Sequence, residues 1–190
     1  MSKTYIEQKT FDKNDFAAEV LAKGEYENCI FKGCNFSGSD LSGISFSDCE
    51  FRNCNLSLVK MNNTGIKDVK FIGCKLLGLH FDRCNTFLFS VDFESCLLNL
   101  ASFYKMVLKK TRFKDCSLHE VDFTECNLSA ALFDNCDLAM AKFERTVLEG
   151  VDFRTSYNYS INPELNKMKK AKFSSNGIAG LLYKYDIVIE

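Results

Sequence analysis

"VDFTECNLSAALFDNCDL", residues 121–138, places Phe123, Leu128, Phe133 and Leu138 five residues apart. Two positions before each stands a small or slender residue: Val121, Cys126, Ala131 and Cys136. A helix repeats every 3.6 residues and a strand every two, so neither accounts for a period of five. The register extends both ways. It runs from Phe11 through Phe16, Leu21, Tyr26, Phe31 and onward to Phe81, then slips by two residues. It resumes at Leu88 and Phe93 and continues to Phe153, with Met168 and Phe173 still in phase. Of 18 Phe, only Phe87 and Phe89, at the slip, miss this central position.

The ten cysteines obey the same rule: each lies two residues before a central position. Cys34, Cys54 and Cys74 are twenty apart, as are Cys96, Cys116 and Cys136. A coil of four five-residue faces explains both spacings, with the central residue and its small partner pointing inward and stacking on the coil below. The expected fold is all-β, a right-handed quadrilateral parallel β-helix. Residues 11–173 would make about eight coils, or roughly 38 Å of rod at the spacing of paired strands. Cysteine suits the second inner position as a small buried hydrophobe with a weak donor. Zinc sites favour cysteine pairs two residues apart, and this chain has none, so the thiols read as core packing.

The units CNLSA, CDLAM, VDFTE, CNFSG and SDLSG resemble the pentapeptide repeat proteins, whose unit is a small residue, Asp or Asn, Leu or Phe, then two variable positions. The resemblance is strong over residues 26–155. It implies the same square β-helix and, with no interior space, a non-enzymatic protein acting through its outer faces. His80 and His119, the only histidines, each flank a central residue and are expected to point outward. No catalytic or cofactor motif is present, and neither a cofactor nor a metal is expected.

No apolar run is long enough to span a membrane, and MSKTYIEQKTFDKNDF has no signal-peptide core, so a cytoplasmic location with no membrane partner is expected. The net charge of −1 hides a segregation: residues 60–114 carry +6 and residues 115–152 carry −7. Asp122, Asp137 and Asp152 belong to the repeat itself. Asp115, Glu120, Glu125, Asp134, Glu144 and Glu149 stand at variable outward positions and are the expected acidic partner-binding face. The cations Lys105, Lys109, Lys110, Arg112 and Lys114 raise nucleic-acid binding as another reading. That function wants exposed aromatics beside the charge, and the register puts the aromatics inside, so no direct nucleic-acid contact is expected.

The slip, FDRCNTFLF, predicts a bulge at 82–87 that exposes Phe87 or Phe89 unless one tucks against the rod. NYSINPELNK, with Asn158 and the only proline, predicts a loop at 157–166 that interrupts the repeat unit of 1–173. Residues 174–190 read as a capping unit: Ser174 or Ser175 as N-cap, then Ile178, Leu181, Leu182 and Tyr185 at helical spacing, then DIVIE as a strand. This tail and the opening YENCIFKGCNFSGSDLSGISFSDCEF resemble the quinolone-resistance (Qnr-type) group. That resemblance implies a homodimer through Ile178, Leu181, Leu182 and Tyr185, and binding to gyrase or topoisomerase IV as a DNA mimic protecting them from fluoroquinolones. Some members carry external loops; this chain has only its short slip. The other reading is a repeat scaffold for a different protein partner.

Overall fold

What bends the chain every five residues is a left-handed residue. Leu100, Lys105, Lys110, Asp115, Glu120, Glu125, Ala130, Asn135 and Met140 all have φ between 51 and 62°. Each sits two positions after a central residue and turns the backbone through a corner. This conformation costs a side-chain-bearing residue roughly 1–2 kcal/mol, so the corners persist only because the faces between them bury apolar surface.

The computed structural model describes residues 4–188. They wind as a parallel β-solenoid of about seven turns. Incomplete turns at either end, carrying Phe11 and Phe173, extend the stack toward the expected eight. Strands β1 (Thr4–Glu7), β3 (Gly24–Glu27), β5 (Ser45–Ser47) and β7 (Gly65–Lys67) form one sheet. Strands β2 (Thr10–Asp12), β4 (Ile30–Lys32), β6 (Glu50–Arg52), β8 (Val69–Ile72), β9 (Val91–Glu94), β10 (Arg112–Lys114) and β11 (Leu132–Asp134) form the other. We call this second sheet face 1. The remaining sides are held by single bridges. Leu97, Ser117 and Asp137 join on face 2, Ser102, Asp122 and Lys142 on face 3, and Val107, Asn127 and Val147 on face 4. Face 4 continues the sheet of β1, β3, β5 and β7.

Side chains twenty residues apart stack. Phe113 lies over Phe133 with centroids 4.7 Å apart and planes 5° from parallel, while Phe123 meets Phe133 edge-on at 87°. All ten cysteines are free and buried. The thiols of Cys54, Cys74 and Cys136 donate to the carbonyls of Phe31, Phe51 and Phe113 in the coil below, at 3.2–3.3 Å. Thr64, Thr146 and Ser156 hold the same position and make the same bond, at 2.8–2.9 Å to Leu41, Phe123 and Phe133. The site therefore suits a small side chain that can carry a donor, which explains the preference for Cys.

The slip differs from its expected outline. Asn85 still pairs with Gly65, and Phe81–Arg83 forms a 3-10 turn with Phe81 and Cys84 buried. The two extra residues enter after Asn85, so the bulge occupies 86–90 rather than 82–87. Leu88, expected at a central position, is a left-handed, exposed corner residue. Phe89 takes the inner slot instead, edge-on to Phe81 at 6.4 Å, and Phe87 projects into solvent.

The predicted loop at 157–166 also keeps more of the coil than expected. Tyr157 pairs with Asp137, Asn158 is left-handed, and Tyr159 and Ile161 are buried. The core is thus filled one residue out of register. Lys167 and Lys172 then rejoin Val147 and Asp152. At the end, the Ser174 hydroxyl accepts from Gly177 N at 3.1 Å, confirming the N-cap. Helical turns follow over Ser175–Gly177, α1 (Ala179–Leu182) and Tyr183–Tyr185. The predicted strand at 186–190 does not form over 186–188, and residues 189–190 lie outside the described residues. A strand needs a neighbour for its N–H and C=O groups, and the left-handed Asp186 ends the helical run where no coil edge pairs with it.

Candidate partner-binding surface

A packed interior leaves the outer positions to act. In each unit the Asp or Asn before the central residue is used internally: Asp122 Oδ1 accepts from Thr124 N at 2.8 Å, and Asp137 Oδ1 from Ala139 N at 3.1 Å. Asp152 does the same for Arg154 N and also pairs with the Arg154 and Lys172 side chains. These three carboxylates hold corners, as the repeat pattern implied.

The six variable acidic residues do not share a face. Asp115 and Asp134 stand on face 1, Glu120 at the end of face 2, Glu125 and Glu144 on face 3, and Glu149 on face 4. The expected acidic face is a girdle instead. Spacings among these six residues that are not multiples of twenty distribute them around the square, and only residues twenty apart stack. Their environments also differ. Glu125 lies 3.0 Å from Arg145 Nη2 and 3.6 Å from Lys105 Nζ. The Arg145 hydrogen bond holds its carboxyl below the usual carboxylate range. Asp115 accepts from Asn135 Nδ2 at 2.7 Å, and Asp134 from Thr155 Oγ1 at 3.0 Å. Glu144 and Glu149 are exposed, with no side-chain partner among the described residues.

The tail side chains split into two sets. Leu181 packs against the core, and Ile161 N donates to Gly180 O at 2.9 Å, so the segment caps its own rod. A Cβ at Gly180 would collide with the Tyr159 carbonyl oxygen, so only glycine permits this approach. Leu182 is half-buried; Ile178 and Tyr185 are exposed, with the Tyr185 hydroxyl donating to Glu164 at 3.2 Å. Tyr183, Ile187 and Val188 extend the exposed apolar set beyond the expected residues.

One surface feature escaped the sequence pattern. Leu58, Leu97 and Leu100 form an exposed apolar row on face 2. Apolar residues at outward positions were the available signal. Phe87 projects into solvent while Phe89 tucks in, one of the outcomes expected of the bulge. His80 and His119 point outward as expected. Among the described residues no helix is long and apolar enough to cross a membrane, and no group of three His, Cys, Asp or Glu is placed to hold a metal.

Square coils with stacked inner residues and a recurring left-handed corner define a repeat solenoid. The family model for the pentapeptide repeat region matches residues 25–87 and 86–159, and the chain belongs to that family. Among solved structures it is similar to a trypsin-treated variant of QnrB1, described as a plasmid-mediated fluoroquinolone resistance protein. That match has 17% identity and a TM-score of 0.62 and covers 100% of both chains. A second trypsin-treated QnrB1 variant matches at 20% identity and TM-score 0.51, over 99% of this chain and 98% of that one. HetL from Nostoc sp. strain PCC 7120, described as involved in heterocyst differentiation regulation, matches at 15% identity and TM-score 0.40, over 90% and 85%. No curated protein matches the sequence.

Proposed function

We propose that this protein binds a bacterial type II topoisomerase, gyrase or topoisomerase IV, as a non-enzymatic DNA mimic and shields it from fluoroquinolones. The observation that carries this reading is the carboxylate girdle. A duplex offers phosphates on every side of a rod, and residues 115–152 offer carboxylates on all four sides of one. The likeness to QnrB1 in outline supports it. Exposed Ile178, Tyr185, Ile187 and Val188 would join two tails, setting both girdles beside the dimer axis and doubling the central negative charge.

The test is a gyrase supercoiling assay with a fluoroquinolone, alongside direct binding. Addition of the protein raises the drug concentration needed for inhibition. The Glu120→Lys, Glu144→Lys and Glu149→Lys triple variant keeps its fold and loses both effects. Undiminished protection by that variant refutes the mimic. Absence of gyrase binding by the native protein refutes the partner. The row of Leu58, Leu97 and Leu100 then favours the second reading, a scaffold for another protein.

A further inference from the structure

The middle coils carry a surface of opposite character to the girdle. Phe87 projects from the bulge with 75% of its surface exposed, beside Leu88. One coil below, on face 4 and its corner with face 1, stand Lys67 and Lys70. One coil above, Lys109, Lys110 and Arg112 run across face 4 onto face 1. All five cations are exposed, and none has a carboxylate within salt-bridge reach among the described residues. Asp68 and Asp115 are the nearest acids in sequence, and on face 1 Asp92 stands in the ladder beside Lys70 and accepts from the backbone N–H of Arg112 at 2.8 Å. Tyr104, also exposed, lies on face 3 with Lys105 Nζ 4.8 Å from its ring centroid.

We infer that this surface binds single-stranded nucleic acid, with Phe87 as the stacking platform and Lys109, Lys110 and Arg112 as phosphate contacts. A free aromatic face flanked by unpaired cations is the combination that holds unpaired bases without reading their sequence. The belt turns a corner. A flexible polyanion can follow cations from face 4 onto face 1, whereas a flat bilayer meets one face at a time. An acidic protein would satisfy the charge but make no particular use of an exposed ring. Lys105 and Lys114 contribute less, because Glu125 lies 3.6 Å from the first and Glu94 2.7 Å from the second. The surface is separate from the girdle, so topoisomerase binding and strand binding can fail independently.

The experiment is fluorescence polarisation of a short labelled oligodeoxythymidine with the full chain. Three phosphate contacts predict a log–log salt slope near −2, a roughly twenty-fold loss of affinity between about 50 and 200 mM salt. Phe87→Ala, at an exposed site, leaves the thermal transition unchanged and weakens binding roughly five- to 150-fold, the range for one stacked base. Lys109→Glu with Lys110→Glu weakens it further and flattens the slope. Three outcomes would overturn the inference. The native protein shows no saturable binding at low salt. Phe87→Ala binds as well as native, leaving charge alone. Polyglutamate or phosphatidylserine vesicles compete as well as the unlabelled strand, which marks the surface as a docking site for an acidic protein or a membrane.

Discussion

Replacing Phe123 by Ala tests the stacked core directly. Its ring is fully buried, stacked between Phe103 at 5.4 Å and Phe143 at 5.2 Å, with Phe113 and Phe133 edge-on at 5.8 Å. Burial of a Phe-sized side chain is worth about 1.5–3 kcal/mol, and specific ring pairs add about 0.5–1.5 kcal/mol each. The gap cannot close easily. Phe123 N donates to Lys142 O at 2.9 Å, and Thr146 Oγ1 donates to the Phe123 carbonyl at 2.8 Å, so the coils stay at their spacing. A loss near the top of the ~3–5 kcal/mol range for Phe→Ala follows. Glu125→Ala, on the same coil, removes only exposed, solvent-screened ion pairs and should cost far less. Urea denaturation followed by circular dichroism gives both values, and an unchanged m would show that the transition is the same one. A Phe123→Ala loss below about 2 kcal/mol, or equal losses at both sites, refutes the stacked-column account.

The Tyr159 hydroxyl is buried with no hydrogen-bond partner among the described residues, so Tyr159→Phe should stabilise the rod by about 1 kcal/mol in the same denaturation experiment. Burial pushes the thiols of Cys49, Cys84 and Cys126 up from 9.0 to about 12. The unfolded chain therefore ionises first, and their stability contribution is full below pH 9 and declines as pH rises toward 12; a urea midpoint flat across that window contradicts their burial. At pH 8 the native protein should label slowly with a thiol reagent, and fast labelling of most cysteines would place them outside the core. Gly180→Val should undock the tail, seen as faster amide exchange over 175–185 with the coils unaffected; unchanged exchange there refutes the glycine contact. Leu181→Arg disturbs the cap of its own rod, so Ile187→Arg is the better probe of the proposed tail pairing; sedimentation should give it a lower mass than the native chain, and equal masses refute the pairing.

The five-residue register was legible because each unit closes on local chemistry. A central Phe or Leu, a small donor two before it and an Asp or Asn that accepts from the backbone two ahead all declare themselves by spacing alone. The inward cysteines and the outward histidines followed from the same rules, while capping chemistry narrowed the N-cap to Ser174 or Ser175 and the structure chose Ser174. At the slip, the sequence showed that two residues were surplus but not which side chain would enter the core. Phe87, Leu88 and Phe89 are alike in hydrophobicity, and the competition was settled by the left-handed corner at Leu88, which turns Phe89 toward Phe81 and leaves Phe87 outside. The acidic positions were likewise visible one by one. Their spacings, none a multiple of twenty, already implied a girdle rather than a face once the coil had four sides; the closed coil showed which carboxylates were paired and which were left exposed. The tail needed the rod end itself. Helical spacing marked Leu181 as apolar, but only the close approach of Gly180 to Tyr159 turned it onto its own core and left Ile178, Ile187 and Val188 facing solvent.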